Sequence, residues 1–151
     1  MSKPLLKGVE GIFIPVKDPE LSAKWYEEVL GFQLIYMEKE ASVMRIGEHA
    51  QSVVCLVRTR HHQPMKFPEN VFGVGKYYNF FPEDIEEAHK LLLEKGVKVN
   101  TIDGEGSTRF FTFFDPDDNP LGVCQYSQNS LRASADNCLR SSINNLLRHR
   151  N

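Results

Sequence analysis

With 151 residues the chain has the length of one ordinary domain, able to bury roughly 68–70% of its unfolded surface, and its 41% hydrophobic and 25% charged residues exclude disorder, collagen-like repeats and a disulfide scaffold. A net charge of -2 gives no electrostatic case for nucleic acid or an anionic membrane as partner. No stretch approaches the roughly 20 apolar residues of a membrane span, the N-terminal MSKPLLKGVEG carries no signal-peptide core, and Cys55, Cys124 and Cys138 form no Cys-x-x-Cys pair, so the expectation is a cytoplasmic protein whose partner is a small molecule or another protein.

Gly11-Ile12-Phe13-Ile14-Pro15-Val16 is a short β-favouring run, after which Asp18 offers an N-cap and Pro19 sits at the first helical position, where its missing N–H costs nothing. Leu21, Trp25 and Val29 then recur at helical spacing beside a second row at Tyr26 and Leu30, and Gly31 supplies the stop. Strands are expected at Phe32 to Glu38, Ser42 to Ile46 and Ser52 to Val57. Arg58 to Gly75, with His61-His62, Pro64 and Pro68, reads as a linker.

The same order then returns. Tyr77-Tyr78-Asn79-Phe80-Phe81 is an aromatic strand, Asp84 with Glu87 makes an acidic capping box, Ile85, Ala88 and Leu92, flanked by Leu91, form an apolar stripe, and Gly96 ends the helix. Val97 to Thr101, Thr108 to Phe114 and Leu121 to Tyr126 read as strands, the last two joined by the turn cluster Asp115-Pro116-Asp117-Asp118-Asn119-Pro120. Asp18 to Asp84 is 66 residues and Gly31 to Gly96 is 65, so residues 1–126 hold two βαβββ copies, at about 8–57 and 76–126. Residues 127–151 stand apart. Arg132, Arg140, Arg148 and Arg150 against Asp136 give this extension +3, and Leu131, Ala135, Cys138, Leu139, Ile143, Leu146 and Leu147 share a helical face, so it reads as a short helix or as an appended tail.

Val16-x-Asp18, Leu21-Ser22-x-x-Trp25-Tyr26-x-x-Val29-Leu30-Gly31-Phe32, Asp84-Ile85-Glu86-Glu87-Ala88 and Phe114-Asp115-Pro116-Asp117-Asp118-Asn119-Pro120 together resemble the vicinal oxygen chelate superfamily of glyoxalases, extradiol dioxygenases and bleomycin-resistance proteins. The resemblance implies an α+β fold in which two βαβββ modules form a curved, half-open eight-stranded sheet around a cavity, and it implies a homodimer. In metal-dependent members it also implies His and Glu ligands on the first and last strands of each module. The first-strand place, seven residues before the helix-capping Asp, is Gly11 in one copy and Tyr77 in the other; the last-strand place is Gly122, with Val54-Cys55 as its counterpart. Glycine has no donor and a phenol is a poor ligand at neutral pH, so no metal and no other cofactor is expected. His49, His61, His62 and His89 read as surface residues.

Strand alternation puts Phe13 and Pro15 on the face of Gly11, Asn79 and Phe81 on that of Tyr77, and Cys124 and Tyr126 on that of Gly122. Phe13, Tyr77, Asn79, Phe81, Cys124 and Tyr126 are therefore the candidate ligand-binding residues, lining a cavity of flat rings with one amide; the competing reading is that the aromatics close a core. Arg45 and Arg109, 64 residues apart, occupy nearly matching places, and Arg109 joins the candidates as a partner for a ligand carboxylate or phosphate. Gly73-Val74-Gly75-Lys76 lacks the spacing of a phosphate-binding loop. The leading functional expectation is metal-independent binding or sequestration of a small, partly aromatic molecule. The alternatives are a metal-dependent lyase, isomerase or dioxygenase with displaced ligands, and a metal-free enzyme using Tyr77, Tyr126 or Cys124 as acid or base.

Overall fold

The computed structural model describes residues 2–126; the expected basic extension at 127–151 lies outside the described residues. The chain divides into two compact units, one ending at Pro64 and the other starting at Met65, within the segment read as a linker.

Unit 1 runs β1 (Gly11–Val16), α1 (Pro19–Leu30), β2 (Gln33–Met37), β3 (Ala41–Arg45) and β4 (Val53–Arg58). Its four strands form a mixed sheet in the order β1-β4-β3-β2, with β1 parallel to β4 and the other pairs antiparallel. Asp18 caps α1 by accepting the N–H groups of Glu20 and Leu21, and Gly31 closes it at φ 72°, a left-handed conformation that glycine adopts without a Cβ penalty. The buried stripe of α1 is Pro19, Ser22, Ala23 and Tyr26, whereas Leu21 is 64% exposed, so the expected row led by Leu21 is corrected. The reason lies at the helix start, where the buried Ser42 hydroxyl on β3 donates to the Pro19 carbonyl at 2.9 Å and turns the small side chains of the first turns toward the sheet. Beneath them Ile14, Val16, Met44, Val54 and Leu56 complete the core of this unit.

Arg58, at the end of β4, fastens the periphery. It donates to the carbonyls of Lys17 and Lys39 at 3.0 and 3.2 Å and lies within ion-pair reach of Asp18 and Glu40, tying the entrance of α1 to the β2–β3 turn.

Unit 2 contains β5 (Asn79–Phe80), α2 (Ile85–Glu94), β6 (Thr108–Phe114) and β7 (Pro120–Tyr126), with the sheet order β5-β7-β6. The Asp84 carboxylate caps α2 through the Glu87 N–H, and Ile85 and Leu92 pack over Phe111, Phe113, Leu121 and Val123. The segment expected as a strand at Val97 to Thr101 follows β6 only through an isolated bridge, Val99 to Phe113, and flanking backbone hydrogen bonds. Among the described residues there are thus seven strands, in sheets of four and three, against the eight expected in one sheet. The turn at Asp115 to Asn119 has Asp118 at φ 61° and is buried at Asp115, Asp117 and Asn119, where side-chain hydrogen bonds replace the water their polar groups give up.

Candidate functional site

In both units one face of the sheet carries the helix and the other lies open. In unit 1 the pairing Phe13 to Cys55 to Val43 puts these residues on the open face, together with Gly11 and Arg45. Phe13 is 67% exposed, which makes it an outward ring and not a core residue. Burial, aided by the negative charges of Glu10 and Glu38, raises the Cys55 thiol above its ordinary pKa, so it stays protonated at neutral pH.

In unit 2 the registers Asn79 to Gly122 to Thr112 and Cys124 to Phe110 define the open face. Asn79, Phe110 and Phe81 are exposed there or at its rim, Cys124 is buried, and the rings of Phe81 and Tyr126 lie 6.4 Å apart. Asn79, Phe81, Cys124 and Tyr126 are thereby brought into one neighbourhood. Tyr77 lies just outside β5 and packs on Phe67 at 4.9 Å, its hydroxyl reaching the Lys66 carbonyl at 3.4 Å.

Arg109 lies on the helix-covered face, where it pairs with Glu86 of α2 at 2.5 Å. The hydrogen-bond registers explain why it parts from Arg45. Phe13 and Asn79 occupy equivalent first-strand places, and their lateral partners make Val43 equivalent to Thr112, an offset of 69, so the counterpart of Arg109 is Glu40. An offset of 64 differs from 69 by an odd number, which puts the two arginines on opposite faces. A surface hollow of about 290 Å³ beside α2 includes Glu86, Arg109, Gln125 and Tyr126. Its polar groups are engaged, since Gln125 accepts the Ile85 N–H at 2.7 Å and Arg109 is paired.

The residue that sequence alternation missed is Lys76. Its side chain runs over Gly122, where an added Cβ would overlap the Lys76 methylenes and the Asn79 side-chain oxygen Oδ1. Its ammonium donates to Thr112 Oγ1 at 3.0 Å and lies 5.8 Å from the centre of the Phe110 ring. Burial lowers its pKa, opposed by its electrostatic interaction with Cys124. Alternation from Asn79 would turn Lys76 to the opposite face, but β5 spans only Asn79–Phe80, so pleat parity does not extend back to residue 76. The one sequence signal for it was adjacency to Tyr77, a place the resemblance marks for a ligand.

The donor set on these faces does not fit a divalent ion. Gly11 and Gly122 offer no side chain, the Tyr77 hydroxyl is turned to a carbonyl, and a lysine chain crosses Gly122. Among the described residues no group of three or more His, Cys, Asp and Glu is arranged to hold a metal. His89 contacts the Asn100 carbonyl at 2.8 Å and His62 contacts Thr59 Oγ1 at 3.3 Å.

The family model for the glyoxalase/bleomycin resistance protein/dioxygenase superfamily matches residues 8–123. The chain is similar in structure to TnmS3, an antibiotic binding protein from Streptomyces sp. CB03234 (23% identity, TM-score 0.67, covering 83% of this chain and 100% of that one). It is also similar to a glyoxalase/bleomycin resistance protein from the same source (23% identity, TM-score 0.61, 78% and 100% covered). A third is a glyoxalase family protein from Enterococcus faecalis (20% identity, TM-score 0.64, 81% and 100% covered). No curated protein matches the chain in sequence. Among the described residues no helix is long and apolar enough to cross a membrane.

Proposed function

The chain belongs to the glyoxalase/bleomycin resistance protein/dioxygenase superfamily, and from that premise we propose that it binds a small, partly aromatic molecule without a metal, in the manner of a sequestering protein. The observation that carries this reading is the open face of unit 2. There a glycine floor at Gly122, the Asn79 amide and exposed rings at Phe110 and Phe81 stand together, while the metal-ligand positions hold no fitting donors. Apolar walls with a few placed polar groups are what small-molecule sites require. The antibiotic-binding neighbour supports the same class of ligand.

In this reading Asn79, Phe81, Cys124 and Tyr126 face the ligand, Tyr77 braces the approach through Phe67, and Phe13 is the exposed ring of unit 1's own open face. Arg109 is left out, since Glu86 engages it away from Gly122. A homodimer in the cytoplasm remains part of the proposal, and sedimentation giving a 17.3 kDa species at micromolar concentration would remove the dimer.

The test is a thermal-shift screen of aromatic metabolites and drugs on the purified full chain, with elemental analysis of the same sample. A true ligand at a hundred times its Kd stabilises by about 2.7 kcal/mol and shifts the melting temperature by several degrees. Near one zinc, iron, manganese or nickel per chain, with no stabilising compound, would overturn the reading in favour of a metal-dependent enzyme.

A further inference from the structure

The same face holds a cation with no counter-ion among the described residues. Lys76 is half-buried, and its one hydrogen bond goes to a neutral acceptor, Thr112 Oγ1 at 3.0 Å. No carboxylate among the described residues lies within ion-pair distance of it. Taking an ammonium partly out of water without an anion is unfavourable, and a lysine with a free path normally extends its head to solvent. Here the chain instead lies along Gly122, where the absence of a side chain leaves room for its methylenes, and the head is held between Thr112 and the Phe110 ring. An ammonium has three N–H donors, and Thr112 takes one.

The surroundings describe what would take the others. Phe110 and Thr112, the two groups that hold the ammonium, also border a hollow of about 350 Å³ along β6, whose other walls are Asn100, Thr101, Asp103 and Phe111. Phe110 is 38% exposed on the same face, and the Asn79 amide beside Gly122 has no hydrogen-bond partner among the described residues. Ammonium, free amide and open ring thus converge on one patch.

We propose that Lys76 is the anchor for an oxyanion carried on a flat aromatic ligand, with Asn79 as the second polar contact and Phe110 as the surface on which the ring lies. This rests on the ligand-binding reading of the face and deepens it by naming the ligand class: an aromatic carboxylate or a comparable aromatic oxyanion. A charge-assisted hydrogen bond in a half-buried site is stronger than a neutral one and makes the charged ligand preferred over an isosteric neutral one.

The experiment titrates the full chain with 2-naphthoate and with its neutral isostere 2-naphthamide, reading the Gly122 and Thr112 amide resonances and the two Kd values. The wild type should bind the naphthoate about tenfold or more tightly than the naphthamide, and Lys76→Met, which keeps the chain over Gly122 and removes the charge, should bind both alike. Equal affinities in the wild type, or a preference that survives in Lys76→Met, would overturn the anchor role and leave the ligand-binding reading standing. Binding of neither probe at millimolar concentration would overturn the anchor role, the ligand-binding reading being decided by the thermal-shift screen. Should Lys76→Met not fold, Lys76→Gln takes its place with the same expected loss of preference. Naphthoate affinity should fall as Lys76 deprotonates and as salt is raised, while naphthamide affinity holds. The other ionisable groups beside this site are Cys124 and Asp103, the latter in the wall of the β6 hollow, and Cys124→Ser and Asp103→Asn remove their contributions. A naphthoate affinity indifferent to both pH and salt would count against the proposal.

Discussion

The Lys76 side chain crosses the sheet over Gly122, so the smallest residue of β7 sits beneath the longest chain on that face. Gly122→Ala therefore tests geometry before chemistry. The added methyl meets the flexible Lys76 methylenes and the Asn79 side chain, both able to swing aside, so the stability loss should stay at about 1 kcal/mol, the low end for overpacking. The oxyanion preference should nonetheless vanish, because the ammonium leaves Thr112. Urea unfolding and the naphthoate titration measure the two effects on one sample, and a variant that kept the preference would show that Gly122 does not seat Lys76.

Burial holds the Lys76 pKa below its ordinary 10.5, and this fixes a sign. Below the folded-state pKa both folded and unfolded chains carry the proton, and the native state bears the full cost of the desolvated charge. Between the folded-state pKa and 10.5 the unfolded chain binds more protons, so stability rises with pH; above 10.5 the gain is complete. The wild type should therefore gain stability relative to Lys76→Met as pH climbs through that window. Parallel stability curves for the two proteins in urea would show that burial does not perturb the lysine.

Much of the fold was legible because its punctuation is local. Asp18 with Pro19, Asp84 with Glu87, and Gly31 and Gly96 each act within one helical turn, and the structure starts and stops its helices there. The strand at Val97 to Thr101 was misread because hydrophobic alternation reports which residues suit a sheet and not whether a ladder closes. At the candidate site, parity worked inside β7, where seven residues keep the pleat and hold Gly122, Cys124 and Tyr126 on one face. It failed for Lys76, beyond a two-residue strand, and for Arg109, whose likeness to Arg45 depended on an offset that only the hydrogen-bond register reveals.

Asn119 offers a prediction about stability alone. Its side-chain amide donates to Asp115 Oδ2 at 2.9 Å, its backbone N–H to Asp115 Oδ1 at 2.9 Å, and its Oδ1 accepts the Met65 N–H at 2.8 Å, all with Asn119 fully buried. Asn119→Ala removes the side-chain bonds to Asp115 Oδ2 and to the Met65 N–H, and at about 1–3 kcal/mol for each a loss of roughly 2–6 kcal/mol is expected. Glu86→Gln, which weakens an exposed pair with Arg109, should cost less than about 1 kcal/mol. Chemical denaturation of the two variants should rank them in that order, and equal losses would mean that the turn is solvated.

Asn79 separates a ligand contact from a core contact more cleanly than any other residue on the face. It is exposed and its amide has no hydrogen-bond partner among the described residues, so truncation removes no internal hydrogen bond and Asn79→Ala should change stability by no more than about 0.5 kcal/mol. If the amide meets the ligand beside Lys76, losing one hydrogen bond worth about 0.5–1.5 kcal/mol should weaken 2-naphthoate roughly two- to twelvefold. Tyr77→Phe is the matched comparison. Its hydroxyl spans 3.4 Å to the Lys66 carbonyl and its ring rests on Phe67, so deleting the oxygen should alter neither stability nor affinity appreciably. Thermal melts and naphthoate titrations of both variants check this directly. A melting temperature that falls by many degrees in Asn79→Ala, with unchanged affinity, would make Asn79 a structural residue and remove it from the site.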